Sequence, residues 1–170
     1  MVEIKINQFG QGLGPVTFPM LVQYLPESDA EGSIVYATAP GEGVLIKAGD
    51  GSAQKIGAFS RSWTFGDTSD NRWSFENVPP VELPFTKGSV SVLKETTQPP
   101  FFISKSKDGP NPGLFLWYCG KGTAISLRVD GNAEYYSTGK IVNGVNPMDP
   151  SFKWSLVTNM RVVLQNHDRP

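Results

Sequence analysis

Residues 114–129 read LFLWYCGKGTAISLRV and indicate the fold more clearly than any other stretch. Two runs with the composition of β-strands, Leu114–Cys119 and Thr123–Val129, are separated by the turn Gly120-Lys121-Gly122. Short runs rich in apolar, aromatic and β-branched residues and bounded by glycine are typical of strands. This part of the chain therefore predicts β-structure rather than a helix.

Similar short runs lie along the whole chain between clusters of Gly, Pro, Asn and Asp. The other predicted strands are Val2–Ile6, Met20–Leu25, Ile34–Ala39, Val44–Ala48, Trp73–Val78, Ser89–Leu93, Phe101–Ser104, Tyr135–Ser137, Trp154–Val157 and Arg161–Gln165. About 10 to 12 short strands predict an all-β protein, with a single antiparallel β-sandwich or barrel as the architecture. A β-trefoil is the alternative, although the chain does not show three matching copies.

An internal repeat is the second organising feature of the sequence. The series Gly41-x-Gly43, Asp50-Gly51-x-Ala53, Trp73-Ser74 recurs as Gly120-x-Gly122, Asp130-Gly131-x-Ala133, Trp154-Ser155, at offsets of 79, 80 and 81 residues. We interpret this as a tandem duplication inside a single β-rich domain, 1–170, with repeats 1–80 and 81–161 and a closing strand at 162–166. The competing interpretation is that Asp-Gly turns and core tryptophans produce such echoes in any β protein.

Composition and charge exclude several classes of partner. Fifteen basic and 16 acidic residues give a net charge of −1, which provides no basis for nucleic-acid binding. No apolar run is long enough for a membrane span, so we expect no membrane insertion. The lone Cys119 rules out an internal disulfide and is expected to pack as a small apolar residue. Because the N-terminal residues lack the pattern of a secretory signal, we expect a cytoplasmic protein, or one secreted without a classical signal peptide.

Catalytic motifs are weak throughout the sequence. The only histidine, His167, lies close to the last residue, where an imidazole is poorly held between catalytic partners. The glycine-rich segment 9–15 lacks the Lys-Ser/Thr pair of a phosphate-binding loop. Acidic turns at 67–71 and 130–134 carry oxygen ligands without the spacing of a calcium-binding loop, so ordinary capped turns explain them. The sequence predicts a protein that is not an enzyme and that carries neither a cofactor nor a metal.

Loops that mix amides, carboxylates and aromatic rings favour carbohydrate binding. Planar amides and carboxylates make directional hydrogen bonds to vicinal hydroxyls, and an aromatic ring can cover the apolar face of a sugar. We therefore predict a lectin-like protein that binds glycans. The predicted binding residues are Trp63, Asp67, Asp70, Asn71, Asp130, Asn132, Tyr135 and Asn143. Among them Trp63 is the candidate for stacking on a sugar, and two related sites would give avidity for multivalent glycans.

Two further functional classes stay open. The proline-rich segment 107–113 would suit a protease-inhibitor-type module that binds a target protein through a rigid loop, with Lys105 and Lys107 available for an acidic specificity pocket. The abundance of strand edges would also suit a structural, toxin or virion assembly subunit, with a homo-oligomer as its product.

Overall fold

The fold is described by a computed structural model that covers most of the chain. The described residues are 2–8, 18–26, 31–66, 72–86, 93–105, 114–129, 139–158 and 160–166. Within them, every regular element is a β-strand apart from one short 3₁₀ turn at Thr64–Gly66. The strands form three antiparallel sheets, which confirms the predicted all-β class. None of the described residues belongs to a helix with the length and apolar character that a membrane crossing requires.

The strands are short and follow one another closely along the chain. They are β1 (Val2–Gln8), β2 (Met20–Tyr24), β3 (Ile34–Ala39), β4 (Glu42–Lys47), β5 (Phe59–Ser60), β6 (Trp73–Ser74), β7 (Val81–Glu82), β8 (Phe101–Lys105), β9 (Leu114–Gly120), β10 (Thr123–Val129), β11 (Ile141–Val142), β12 (Trp154–Val157) and β13 (Met160–Asn166).

The predicted strand boundaries differ from the structure at a few places. The predicted strand Trp73–Val78 ends after Ser74, because the Ser74 hydroxyl bonds to the backbone of Glu76 and Asn77 adopts a φ of 54°. The two-residue strands β5, β7 and β11 were not predicted. Of the predicted strand Ser89–Leu93 only Leu93 is described, and it is not in a strand, while Tyr135–Ser137 lies outside the described residues.

Contacts divide the chain into two compact units. The first unit comprises Glu3–Leu83 and Arg161–Pro170, and the second comprises Met1–Val2 and Pro84–Met160. These units do not test the predicted single domain 1–170 or the predicted repeats 1–80 and 81–161, which stay predictions.

The first unit is built on a five-stranded sheet with the order β5-β4-β3-β2-β6. Residues 34–37 of β3 are all fully buried, so both faces of this central strand are covered. Strands buried on both faces consist of continuous apolar runs, which explains why this segment does not alternate. On one face the side chains form a core cluster: Met20, Val22, Val35, Ala37, Leu45 and Phe65.

The first unit also holds most of the three-stranded sheet with the order β1-β13-β7. Asn166, at the end of β13, bonds to β2 of the five-stranded sheet through its side chain. Its Oδ1 accepts the backbone N–H of Leu21 at 2.7 Å, and its Nδ2 donates to the Leu21 carbonyl oxygen at 2.9 Å. The side-chain amide of Asn166 therefore acts as a peptide group of a neighbouring strand would. It supplies hydrogen-bond partners for the backbone of Leu21, a part of β2 that the short strand β6 does not reach.

The second unit is built on a five-stranded sheet with the order β11-β10-β9-β8-β12. Trp117 of β9 is fully buried, and its indole N–H donates to the Pro84 carbonyl oxygen at 2.8 Å. A second core cluster covers one face of the sheet: Phe101, Ile103, Leu114, Leu116, Ala124, Val145 and Leu156.

The two five-stranded sheets share one strand order, and their strands share one register except at the β5 and β11 edges, where the pairing differs by one residue. Met20 pairs with Ala37 in the first, and Phe101 pairs with Tyr118 in the second, each residue lying 81 positions further along the chain. The register irregularities of the β3–β4 hairpin recur at the equivalent points of the β9–β10 hairpin. This is the arrangement that a tandem duplication would produce, and duplication stays our interpretation of it.

The hairpin turns show which glycines of the two sheets are equivalent. Gly41 and Gly122 occupy the β3–β4 and β9–β10 turns with φ of 76° and 79°, where a residue with a Cβ would be strained. The structure therefore matches Gly41 with Gly122 at the 81-residue spacing, whereas the sequence pattern had paired Gly41 with Gly120. A match by residue type alone is misleading in a chain with 18 glycines.

Candidate functional site

Of the binding residues predicted from the sequence, the structure describes Trp63 and Asn143. The others lie outside the described residues: Asp67, Asp70, Asn71, Asp130, Asn132 and Tyr135. The predicted inhibitor segment 107–113 and His167 also lie outside them. The structure places Trp63 in the first unit and Asn143 in the second.

Trp63 is half-buried and packs against the core cluster of the first unit. Its indole N–H donates to the Gly43 carbonyl oxygen at 2.9 Å, and its backbone N–H donates to the Gly41 carbonyl oxygen at 2.9 Å. The polar edge of the ring is therefore already bonded within the protein, and the ring holds the chain to the β3–β4 hairpin.

Trp73 lies at the centre of an aromatic cluster in the same unit. The rings of Tyr24, Phe65 and Trp63 meet it edge-on, with centroid distances of 5.2, 5.4 and 6.2 Å. Its indole N–H donates to Thr64 Oγ1 at 2.8 Å. Edge-to-face aromatic packing with a bonded indole is typical of a structural cluster.

Asn143 begins an exposed polar loop in the second unit, here called the 143–153 loop. Its side chain is exposed, and Oδ1 accepts the hydroxyl of Thr123 at 2.9 Å. The loop is fixed to the sheet by Val145, whose side chain is buried and whose N–H donates to the Gly122 carbonyl oxygen at 2.9 Å. The position of Asn143 is therefore set by two neighbouring anchors.

The remainder of the 143–153 loop is shaped by two side chains that replace backbone partners. Asn146 Oδ1 accepts the N–H of Met148 at 3.1 Å. One oxygen of Asp149 accepts both the N–H and the hydroxyl of Ser151, at 2.9 and 2.7 Å. These bonds lower the pKa of Asp149, the Ser151 hydroxyl contributing most. Such side-chain turns fix the loop without a helix or a strand.

An aromatic pair, Phe152 and Trp154, closes this loop. The two rings are stacked, with centroids 6.1 Å apart and planes inclined by 7°, and both side chains are half-buried. The intervening Lys153 has a φ of 50° and an exposed side chain. The pair therefore presents two nearly parallel rings that are partly in contact with solvent.

Lys105 supplies a buried ammonium group beside this pair. Its residue is only 6 % exposed, and it is the strand partner of Trp154. Nζ lies 3.6 Å from the centroid of the Phe152 ring and 4.9 Å from that of Trp154. Burial lowers the pKa of Lys105, and the charge of Asp149 opposes this in part. In the described part of the chain, Nζ has no hydrogen-bond partner.

The equivalent position in the first unit has different chemistry. Tyr24 lies 81 residues before Lys105 and pairs with Trp73 as Lys105 pairs with Trp154. An aromatic ring thus meets the tryptophan in one sheet and an ammonium group meets it in the other. Lys105, which the sequence interpretation had assigned to a protease specificity pocket, is not displayed at the surface.

Cys119 is buried, as the sequence predicted, and its thiol donates to the Thr123 carbonyl oxygen at 3.1 Å. Burial raises its pKa to about 12, which keeps the sulfur protonated and makes it a poor nucleophile. Among the described residues, no group of three or more His, Cys, Asp or Glu side chains is placed to hold a metal ion.

Comparisons with models of known protein families, with curated proteins and with solved structures find no match for this chain. The candidate site therefore consists of Phe152, Trp154 and Lys105. None of them is among the carbohydrate-binding residues predicted from the sequence, where Lys105 served only the inhibitor alternative. The spacing of Phe152 and Trp154 suggests alternate residues of a strand, but β12 begins only at Trp154 and Lys153 has a φ of 50°, so strand periodicity does not account for the pairing of the two rings. Nothing local marks Lys105, because its aromatic neighbours are far away in the sequence.

Proposed function

We propose that this protein is a non-catalytic carbohydrate-binding protein and that its binding surface is the 143–153 loop together with Phe152 and Trp154. The observation that carries the proposal is the stacked, partly exposed aromatic pair at the end of an exposed polar loop. A sugar ring has an apolar C–H face and a polar rim, and this surface offers one partner for each.

The aromatic pair supports the apolar half of the interaction. Because the planes of Phe152 and Trp154 differ by only 7°, the parts of the two rings that are open to solvent have nearly the same orientation. A pyranose ring lying on that surface would remove apolar area from water on both partners. Since both rings are partly buried, they lose little conformational entropy when a ligand binds.

The 143–153 loop supports the polar half. Asn143, Asn146 and Ser151 are exposed, and each is held by a hydrogen bond within the second unit. With the oxygen of Asn143 engaged by Thr123, its amide NH₂ is the group that could donate to a sugar hydroxyl. Groups that are already fixed bind hydroxyls at a smaller entropic cost than mobile ones.

Trp63, the stacking residue predicted from the sequence, is less suited to this role. Its indole N–H is bonded to Gly43, and its ring edge contacts Trp73. A sugar that stacked on Trp63 would have to use whatever ring surface the core leaves open. Trp63 stays a prediction, and the same experiment tests it.

The test is a glycan array followed by titration of the best-bound oligosaccharide into the wild type and three variants. Phe152→Ala is expected to weaken binding about tenfold or more, since it removes half of the aromatic surface. Phe59→Ala is the matched control: Phe59 is also half-buried and also lies beside a cation, with Arg61 5.5 Å from its ring centroid, but it belongs to the first unit. The third variant, Trp63→Phe, tests the sequence-based site.

Three outcomes would overturn the proposal. One is that no oligosaccharide binds at all. Another is that Phe152→Ala binds as tightly as the wild type while its melting temperature shows it to be folded. The last is that Trp63→Phe alone loses binding, which would move the site to the first unit.

A further inference from the structure

We infer that the ligand of this surface is an anionic sugar, one that carries a carboxylate or sulfate group, and that the Lys105 ammonium binds that group. The inference rests on the proposed function and adds the class of ligand. Its basis is Lys105, a residue only 6 % exposed, whose Nζ lies against the aromatic pair and has no hydrogen-bond partner in the described part of the chain.

A buried ammonium group without acceptors is expensive. Water normally fills its three N–H donors, and burial removes that water. The faces of Phe152 and Trp154 offset part of the cost through cation–π attraction. Two rings can take two of the three N–H directions, so at least one donor remains for an oxygen acceptor. An anionic oxygen from a ligand would fill it and pair the charge.

The Lys105 ammonium also keeps a donor available for such a ligand. Since no hydrogen bond to a described residue holds Nζ, an oxygen acceptor could take an N–H without displacing a protein partner. Lys105 is the last residue of β8, so the backbone that carries it is fixed by the sheet. A sugar stacked on Phe152 would therefore have its substituents within reach of a positioned cation.

Asp149 is the charged group that opposes this inference, and it supplies a second test. One of its oxygens is occupied by Ser151, and it forms no hydrogen bond with Lys105 among the described contacts. Its negative charge nevertheless acts on Lys105 and would repel an anion beside it. Asp149→Asn keeps an acceptor oxygen for Ser151 and removes the charge, so it should tighten binding of an anionic sugar several-fold relative to that of a neutral one.

The experiment titrates three soluble oligosaccharides of equal length into the wild type, Lys105→Met and Asp149→Asn. One oligosaccharide is neutral, one carries uronic acids, and one carries sulfate esters. The wild type is expected to bind at least one anionic class about tenfold or more tighter than the neutral class, since a hydrogen bond to a charged group commonly gives that gain. Lys105→Met keeps an unbranched apolar side chain, removes the charge and is expected to reduce the anionic affinity to the neutral one.

Each outcome decides between the two claims. Preference for only one anionic class supports the inference and identifies the group. Equal binding of neutral and anionic oligosaccharides, or an anionic preference that survives in folded Lys105→Met, overturns the inference and leaves the carbohydrate proposal intact. Absence of binding by all three classes overturns both.

Discussion

Replacing Asn166 by alanine should destabilise the first unit, because the backbone N–H and carbonyl oxygen of Leu21 would lose their hydrogen-bond partners. Leu21 is fully buried, and Asn166 provides the partner of its N–H at 2.7 Å and of its carbonyl oxygen at 2.9 Å. A contact from Asn166 Nδ2 to the Phe75 carbonyl oxygen, at 3.4 Å, is too long to add much. A buried polar group left without a partner costs about 1–3 kcal/mol. Two such groups predict a loss of about 2–3 kcal/mol, the lower part of the combined range, because Asn166 is only half-buried and water can enter.

Urea denaturation followed by tryptophan fluorescence and circular dichroism measures this loss. A shift in the midpoint of about 1 M, without a change in slope, corresponds to the expected free energy. Asn146→Ala is the matched control, because its Oδ1 also accepts one backbone N–H, at 3.1 Å, but at an exposed site. We expect the control to lose less than about 1 kcal/mol. If Asn166→Ala were no less stable than Asn146→Ala, the role given to the Asn166 amide in satisfying β2 would be refuted.

Three further predictions follow from buried groups. Burial lowers the pKa of Lys105 below its usual 10.5, so the unfolded chain holds this proton more tightly than the folded protein does. The free energy of unfolding should therefore rise with pH between the folded-state pKa and 10.5. Urea titrations at several pH values measure this rise, and Lys105→Met should remove it. Cys119, with its pKa raised to about 12, should react with a thiol reagent at neutral pH about a hundredfold or more slowly in the native protein than in urea, and similar rates would contradict its burial. A Cβ at Gly43 would lie 2.5 Å from the Tyr36 carbonyl oxygen, so Gly43→Ala should lower the free energy of unfolding by about 2–3 kcal/mol. Gly51 has a φ of 73° and open space around it, so the control Gly51→Ala should lower it by about 1 kcal/mol. Equal melting temperatures of the two variants would contradict this.

Several elements were predictable because their signal is local. Strands such as Ile34–Ala39 and Trp154–Val157 appear in the structure with the bounds that the sequence predicts. The recurrence of Trp73-Ser74 as Trp154-Ser155, at 81 residues, matches the spacing that relates the two sheets. In each case the pattern that identifies the element lies within the segment itself or in a direct repeat of it.

Other features were not predictable because they depend on a partner elsewhere in the chain. The two-residue strands β5 and β11 exist only as partners at the edges of β4 and β10, and no two-residue run has a pattern of its own. Trp63 looked like a residue for an exposed loop, since polar residues surround it in the sequence. Its hydrogen bond to Gly43, 20 residues away, is what turns the indole toward the core.

The sequence by itself determined the all-β class, the burial of Cys119 and the absence of a disulfide, because strand periodicity, residue size and the number of thiols are properties of the chain alone. Only the tertiary structure decided that the Lys105 ammonium would be buried against the rings of Phe152 and Trp154, and that Asn166 would form hydrogen bonds with Leu21, 145 residues away in the sequence. Burial and charge pairing depend on which distant segments the sheets bring together, and the register of those sheets is set by packing rather than by local preference.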